Sequence, residues 1–376
     1  MKRIVIIGGV AGGMSAATRL RRLDPDASIT VLERSGFVSY ANCGLPYYVG
    51  GVIADQAALL LQTPESLDAR FELDVRVDSD VTHIDRDAKE VVVVHDGGEY
   101  RLGYDTLILS PGAQPIVPPI PGIERAMTLR TVEDVKKIAE AVAANPATAV
   151  VIGGGFIGIE SAENLVHRGI ATTLIEAADQ VMTPLDPELA TLVHDEILRN
   201  NVDLFLGDGV ESIDATHVHL KSGKAIPAEL IIAAIGVRPD VTLARDCGLE
   251  VGTRGGIQVN EFGQTSDANI YAIGDVAEKI DALDGEPTLV PLANIANRQG
   301  RVAADHIMGR TVRPVKTIGT AIVKVFDLTV AVTGWNEKRL AAQGIPTQAI
   351  HTHPGSHAGY YPGAEQMALK LLVHRK

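Results

Sequence analysis

Residues 149–158 read Ala-Val-Val-Ile-Gly-Gly-Gly-Phe-Ile-Gly. The four apolar residues that end at Ile152 have the pattern of a strand buried on both faces. The glycines that follow, Gly153, Gly155 and Gly158, form a G-x-G-x-x-G turn. Glycines let the chain turn tightly and let a phosphate approach the start of the next helix, where N–H groups and the helix dipole stabilise negative charge. This run predicts a phosphate-binding turn.

The residues after this turn complete a nucleotide-binding unit. A helical pattern covers Ile159–Arg168, and a second strand, Ala171–Ile175, ends in Glu176, 23 residues after the first glycine. An acid at this place can accept hydrogen bonds from the ribose hydroxyls of a nucleotide. The alternative for a single match is an ordinary tight turn between a strand and a helix.

A second copy of the pattern opens the chain. A β-branched strand, Arg3–Ile7, leads to Gly8 and Gly13, and Glu33 follows 25 residues after Gly8. Val10 stands where the motif has its middle glycine, so this copy taken alone is weaker. The elements between are a helix, Met14–Leu23, and a strand, Ser28–Leu32. Two complete units make coincidence improbable, and we expect two bound nucleotides.

Composition narrows the functional classes. The 376 residues suffice for two or three domains, and the 46% hydrophobic and 22% charged residues are typical of a soluble globular protein. The net charge of −13 argues against binding of nucleic acid or of a membrane surface. Two cysteines cannot form a disulfide scaffold, and the sequence has neither a signal-peptide core nor a long apolar run. We therefore expect a cytoplasmic protein.

A later segment, Thr265–Asp275, is an apolar strand that ends in Gly-Asp. This places the carboxylate of Asp275 at the carboxyl end of a strand, where α/β sheets hold their ligands. A turn aspartate or a helix cap is the common alternative for an isolated Gly-Asp pair.

The segment Ser39–Gly51 presents one thiol beyond the first nucleotide unit. Cys43 is followed by Gly44 and Pro46, so the chain can turn sharply there into a helix start, where thiolate is favoured over thiol. The alternative is a small buried hydrophobic residue. A thiol between two nucleotide-binding motifs favours a redox relay.

Together these features resemble the pyridine nucleotide–disulfide oxidoreductase flavoproteins, over essentially the whole chain. Within that superfamily, Asn42–Pro46 resembles coenzyme A disulfide reductase and its NADH-dependent persulfide or polysulfide reductase relatives. The dithiol members carry two cysteines four residues apart, whereas Cys247 is the only other cysteine in this sequence.

The resemblance implies an α/β fold with two Rossmann-like nucleotide-binding domains, the NAD domain being inserted in the FAD domain, and a partial α+β interface domain. The expected boundaries are 1–115 and 241–311 for the FAD domain, 116–240 for the NAD(P) domain and 312–376 for the interface domain. FAD would be held by Gly8, Gly13, Glu33 and Asp275, and NADH, rather than NADPH, by Gly153, Gly155, Gly158 and Glu176.

The resemblance also implies a coenzyme A site. Ser15, Arg19 and Arg22 are spaced so that they share one face of the first helix, which suits a phosphorylated adenosine tail. The alternative is a solvated basic face. The family's coenzyme A contacts fall at positions matching Ser15, Arg19, Arg22, Ser39 and Asn42, with a further contact expected near Arg70 and Phe71.

The carboxyl-terminal segment is expected to begin the interface domain of a homodimer. The family places a tyrosine of this segment, from the partner subunit, near the active cysteine; we assign Tyr361 rather than Tyr360, although both could be ordinary interface aromatics. Three histidines, His351, His353 and His357, lack a carboxylate at fixed spacing, so no metal site is predicted. The chain stops in the apolar run 371–376, and we expect a fragment of a longer protein that dimerises weakly.

The predicted activity is an FAD-dependent NADH:disulfide oxidoreductase with Cys43 as its single redox-active cysteine and coenzyme A as its mixed-disulfide partner. Its acceptor would be coenzyme A disulfide, coenzyme A persulfide or polysulfide, and the residues do not choose among them. The nearest alternative is an NADH oxidase or peroxidase in which Cys43 cycles through a sulfenate. A non-catalytic flavin-binding module is a third possibility.

Overall fold

The computed structural model describes residues 1–314 and 316–375. Val315 and Lys376, both in the predicted interface domain, lie outside the described residues. The chain forms two compact units. The first consists of Met1–Pro118, Met127–Ala144 and Ile235–Thr317, and the second of Pro119–Ala126, Asn145–Ala234 and the residues from Ile318 onward. The predicted boundaries of the FAD, NAD and interface domains stay a prediction.

Helices and strands follow one another along both units. The helices are α1 (Ala11–Leu23), α2 (Leu45–Val49), α3 (Pro64–Phe71), α4 (Val132–Ala143), α5 (Phe156–His167), α6 (Pro187–Arg199), α7 (Thr242–Asp246), α8 (Ala293–Ile307) and α9 (Glu337–Ala342). The strands up to residue 213 are β1 (Arg3–Ile7), β2 (Ser28–Leu32), β3 (Asp74–Arg76), β4 (Asp80–Asp85), β5 (Glu90–His95), β6 (Gly98–Gly103), β7 (Thr106–Leu109), β8 (Ala113–Pro115), β9 (Met127–Thr128), β10 (Thr148–Ile152), β11 (Ala171–Glu176), β12 (Asp203–Leu206) and β13 (Val210–Ile213). The later strands are β14 (His217–Leu220), β15 (Ala225–Pro227), β16 (Leu230–Ala233), β17 (Val237–Pro239), β18 (Ile270–Ala272), β19 (Lys279–Asp281), β20 (Pro287–Thr288), β21 (Lys316–Thr317), β22 (Ala321–Val325), β23 (Leu328–Val332), β24 (Thr347–Thr352) and β25 (Leu369–His374).

A parallel sheet with the strand order β18-β7-β1-β2-β3 forms the centre of the first unit. Alternate residues of β1 enter two different cores: Val5 and Ile7 pack in one, Ile4 and Ile6 in the other. Burial on both faces explains why this strand is an unbroken β-branched run.

The second unit contains a parallel sheet in which β12, β11, β10 and β16 are neighbours in that order. Ala149, Val150 and Val151 of β10 are buried. The α/β fold class with parallel, Rossmann-like sheets is therefore confirmed. Both predicted phosphate turns leave the carboxyl end of a central strand, β1 in one sheet and β10 in the other.

Both glycine-turn helices begin three residues earlier than the sequence pattern predicted. Helix α1 starts at Ala11 rather than Met14, and α5 starts at Phe156 rather than Ile159. The hydrophobic period becomes visible only after the glycines, but the glycine-containing segment itself already has helical backbone.

The end of the chain forms two antiparallel pairs in the second unit, β22 with β23 and β24 with β25. Residues 371–374 of the apolar run near the end of the chain belong to β25, which pairs along all of β24. Among the described residues, no helix is long and apolar enough to cross a membrane.

Candidate active site

The first glycine turn has a backbone that only glycine allows. Gly8 has φ +100°, and a Cβ there would collide with the carbonyl of Ser110. A Cβ on Gly13 would collide with the carbonyl of Gly8, so the start of α1 can lie against the turn only without a side chain there. These two glycines let the turn and the start of α1 pack into a close cradle, and helix starts of this kind can bind phosphate.

Glu33 ties this turn to the end of β2. Its Oε2 accepts a hydrogen bond from Gly9 N at 2.8 Å, and its Oε1 accepts one from Ser35 N at 3.0 Å. The carboxylate is buried, at 8% exposure, and these two bonds offset the cost of burying its charge. Each oxygen keeps a lone pair for a further donor such as a ribose hydroxyl.

The second glycine turn repeats this geometry. Gly153 has φ +110°, and a Cβ on Gly158 would collide with the carbonyl of Gly153. Glu176 accepts from Gly154 N at 2.7 Å through Oε2 and from Ala178 N at 2.8 Å through Oε1. The two acids, found by spacing alone, make matching contacts in the two units.

The two turns differ at the middle position. Gly155 lies at the start of α5, and a Cβ there would meet nothing within 4 Å. Val10 holds the matching place at the start of α1. The second turn is therefore the more open of the two beside its helix start.

Asp275 lies in the short turn Gly274–Val276 that follows β18. Its Oδ2 is 2.9 Å from Nη2 of Arg130, and both side chains are mostly buried. Because β18 and β1 belong to one parallel sheet, Asp275 and the first glycine turn lie at the same edge.

Cys43 is exposed and occupies the turn Asn42–Gly44, directly before the short helix α2. Pro46 stands in the first turn of that helix, as the sequence predicted for a helix start. The segment is tied to the first glycine turn, because Ser39 N donates to Gly9 O at 2.8 Å. The structure thus brings the cysteine segment to the predicted FAD turn.

The residues predicted to bind coenzyme A are partly engaged with neighbouring side chains. Ser15 Oγ donates to Asn297 Oδ1 at 3.0 Å, and Arg19 donates twice to Asp305 Oδ1, at 3.0 and 2.7 Å. Arg22 is exposed and lies over the ring of Phe71, 5.6 Å from its centre. Arg70 lies over the same ring at 5.1 Å, so two guanidinium groups flank one aromatic side chain.

Tyr360 and Tyr361 belong to the second unit and are both exposed. The ring of Tyr361 meets that of His357 edge-on, with the centres 5.6 Å apart.

Two charged residues at the Asp275 turn have no counterpart in the sequence prediction. These residues are Arg130 and Lys279. The Nζ of Lys279 donates to Gly274 O at 2.5 Å and to Ala277 O at 2.9 Å. Burial lowers the pKa of Lys279 to about 8, although the charge of Asp275 opposes this shift. No motif signals either residue, since their partners are set by the fold.

A family model described as pyridine nucleotide-disulphide oxidoreductase matches residues 2–300. The chain belongs to this family. The superfamily predicted from the two glycine turns and the single cysteine is thereby confirmed.

Among the pyridine nucleotide-disulphide oxidoreductases, two curated relatives align with 99% of this chain. The aligned part is 85% of each relative's own length. One is the coenzyme A disulfide reductase of Staphylococcus aureus, 33% identical over 377 residues. The other, an NADH oxidase of Methanocaldococcus jannaschii, is 32% identical over 383 residues.

Two solved structures are also similar over 99% of the chain. Reduced CoADR-RHD of Bacillus anthracis shares 49% identity with a TM-score of 0.97, over 68% of that chain. The NAD-dependent persulfide reductase of A. fulgidus shares 39% identity with a TM-score of 0.96, over 71% of that chain.

Proposed function

We propose that this protein uses NADH and FAD to reduce coenzyme A disulfide, coenzyme A persulfide or polysulfide through Cys43. The observation that carries the proposal is the exposed Cys43 in a turn tied by Ser39 to the first glycine turn. The relatives named coenzyme A disulfide reductase and persulfide reductase support this chemistry over the whole chain.

The first unit suits FAD. The cradle of Gly8 and Gly13 would accept its phosphates, and Glu33 and Asp275 offer carboxylate oxygens for its hydroxyl groups. FAD, when bound, carries two electrons from NADH toward sulfur.

The second unit suits NADH. Gly153 and Gly158 shape its turn, the open position of Gly155 leaves room for phosphate, and Glu176 would receive the ribose hydroxyls.

Cys43 performs the sulfur chemistry in this proposal. Its thiolate attacks one sulfur of coenzyme A disulfide, which forms a Cys43–coenzyme A mixed disulfide and releases one coenzyme A as thiolate. The two electrons from NADH then break the mixed disulfide, which yields the second coenzyme A thiol and restores the Cys43 thiolate.

Coenzyme A would lie along α1 and the cysteine segment, near Ser15, Arg19, Arg22, Ser39 and Asn42. Asp305 already neutralises much of the charge of Arg19, so we assign the main phosphate attraction to Arg22. Arg70, beside the same ring, extends this basic surface.

We further propose a cytoplasmic homodimer in which Tyr361 of one copy approaches Cys43 of the other. The exposed Tyr361 is available for such a contact. The domain division at residues 115, 240 and 311 belongs to the same proposal.

The serine variant of Cys43 tests the proposal. Cys43→Ser should keep bound FAD and its reduction by NADH, because hydride transfer does not involve the thiol, but should lose turnover of coenzyme A disulfide. Stopped-flow absorbance of the flavin and steady-state assays measure the two steps. Cys247→Ser, at the half-buried second cysteine, is the control and should keep both. Near wild-type turnover by Cys43→Ser would refute the proposal.

An NADH oxidase is the second candidate, because the relative from M. jannaschii carries that name. In that reaction Cys43 would rest as a sulfenate rather than as a mixed disulfide. Mass spectrometry of the intact, unreduced protein separates the two, since a coenzyme A adduct on Cys43 supports the reductase and a single added oxygen supports the oxidase.

A further inference from the structure

Arg130 joins parts of the first unit that lie far apart in sequence. Its Nη2 is 2.9 Å from Asp275 Oδ2, across 145 positions, and its Nε donates to Ala113 O at 3.3 Å. Its backbone N donates to Asp134 Oδ2 at 3.0 Å, within the capping box that starts α4. The guanidinium is therefore held in one orientation by groups on several sides.

The same residue contacts the segment that carries the thiol. We assign the Asn42 amide the orientation that satisfies both of its polar atoms. Its Oδ1 then accepts from Arg130 Nη1 at 3.2 Å, and its Nδ2 donates to Arg130 O at 3.1 Å. This two-point contact fixes the side chain directly before Cys43.

The chemistry of this junction requires arginine. One planar guanidinium donates in different directions from Nη1, Nη2 and Nε, whereas a lysine ammonium has no fork to span the same acceptors. The side chains of Arg130 and Asp275 are only 23% and 13% exposed. Their charge-assisted bond is thus shielded from water more than a surface pair would be.

We propose that Arg130 is a positioning residue that links the flavin-site carboxylate of Asp275 to Asn42, and through Asn42 sets the reactivity of the Cys43 thiol. This inference rests on the proposed function. Arg130 itself transfers no electrons or protons. It connects the turn that carries Cys43 to Asp275, the carboxylate that is proposed to hold FAD.

The variants Arg130→Lys, Asn42→Ala and their combination test the link. Arg130→Lys keeps a positive charge and removes the fork. Arg86→Lys is the matched control, because Arg86 Nε lies 2.9 Å from Asp267 Oδ2 at similar burial in the same unit. The readouts are the alkylation rate of Cys43 by iodoacetamide, resolved by peptide mass spectrometry, and the Kd of FAD from fluorescence titration.

We expect Arg130→Lys to weaken FAD binding about tenfold and to speed alkylation of Cys43 about threefold or more, because the turn is no longer held. Asn42→Ala should speed alkylation similarly, with FAD affinity nearly unchanged. The double variant should show little further acceleration, since both changes break one connection. Arg86→Lys should leave both readouts at wild-type values.

Unchanged alkylation in both Arg130→Lys and Asn42→Ala, or fully multiplicative effects in the double variant, would overturn the inference. If Arg130→Lys does not fold, unchanged alkylation in Asn42→Ala alone would suffice to overturn it. A wild-type protein that binds no FAD would instead refute the proposed function, while the alkylation series would still judge the contact between Arg130 and Asn42.

Discussion

Lys279 is a buried cation placed against the turn that carries Asp275. Its side chain is hidden from solvent, and its ammonium donates to the carbonyls of Gly274 and Ala277 on the two sides of that turn. Neutral carbonyls do not fully replace water around a charge, so burial lowers the pKa of Lys279 from 10.5 to about 8.

This pKa predicts how stability depends on pH. Between about pH 8 and 10.5 the folded protein has lost the proton of Lys279 and the unfolded chain still holds it, so this group makes the free energy of unfolding rise with pH. The full effect is on the order of 3 kcal/mol. Urea unfolding of the wild type and of Lys279→Met at pH 7.5 and 9.5 measures about half of this effect. The wild type should gain stability relative to the variant at the higher pH, and equal pH responses would contradict the assignment.

Glu176 predicts the choice of nicotinamide nucleotide. Its carboxylate is fixed by Gly154 N and Ala178 N, and the two residues that follow it, Ala177 and Ala178, carry no positive charge. A 2′-phosphate would meet this negative charge, so kcat/KM should favour NADH over NADPH by about tenfold or more. Glu176→Gln should narrow the ratio through better use of NADPH. A wild type that prefers NADPH would show that a basic residue from elsewhere reaches the phosphate.

Single residues also show what the sequence could predict. The two glycine turns and their acids, Glu33 and Glu176, follow a fixed spacing, because the contacts of each acid are made within one strand-turn-helix-strand unit. The glycines concerned are Gly8, Gly13, Gly153 and Gly158. Arg130 and Lys279 have no fixed spacing from either glycine turn that could have predicted them. The partner of Arg130 lies 145 positions away, and the depth at which Lys279 is buried depends on packing that no local pattern records.

At the level of elements, one lysine fastens the last strand of the described chain to its unit. Lys370 lies in β25, and its Nζ is 2.9 Å from Asp186, 2.5 Å from Glu188 and 2.6 Å from Glu337. Burial alone would lower the pKa of Lys370. The hydrogen bonds to the three carboxylates outweigh this effect, so the pKa of Lys370 is raised. The lysine thus links β25 to the starts of α6 and α9.

Removing this ammonium should destabilise the second unit. Lys370→Met keeps the apolar stem but leaves three carboxylates facing one another, and we expect a loss of about 2–3 kcal/mol, less than for a fully buried pair because Glu188 and Glu337 are half exposed. Lys324→Met is the control, since Lys324 is exposed and lies 3.8 Å from Glu163. Urea unfolding followed by circular dichroism measures both. Equal losses in the two variants would show that the cluster has no special role.

The elements themselves were predictable where their hydrophobic pattern was complete. Strands β1, β2 and β10 lie within a residue of the positions that their patterns predicted. Helices α1 and α5 were placed too late, because glycines have no side chain through which the helical period could appear. The pairing of β25 with β24 was also missed, because 16 residues with few regular pattern signals separate these strands.

On the scale of the whole molecule, repetition of one unit made the fold class predictable. Two units, each with a strand, a glycine turn, a helix and a second strand, predict parallel sheet structure with helical crossovers. The grouping of the residues from Ile318 onward with residues 145–234 in one compact unit was not predicted. That grouping depends on contacts such as Phe326 N to Glu163 Oε2, 163 positions apart, which leave no trace in local sequence.

One face of the β24–β25 hairpin carries exposed apolar side chains. Leu369, Leu371 and Val373 alternate along β25, and each is more than 40% exposed. Ile350 pairs with Leu371 across the hairpin and is 43% exposed. Apolar side chains clustered in this way on a surface favour burial against another molecule, and we expect a second copy of this chain to cover them.

Leu371→Lys tests this expectation, because a charge at the centre of the apolar face would have to lose its hydration on association. Sedimentation velocity over a range of concentrations should show self-association of the wild type and a marked weakening in the variant. Leu192→Lys, a similar change at an exposed position on α6 of the same unit, should leave association unchanged. A wild type that stays monomeric at every concentration, or equal weakening by both variants, would show that this face of the hairpin does not mediate self-association.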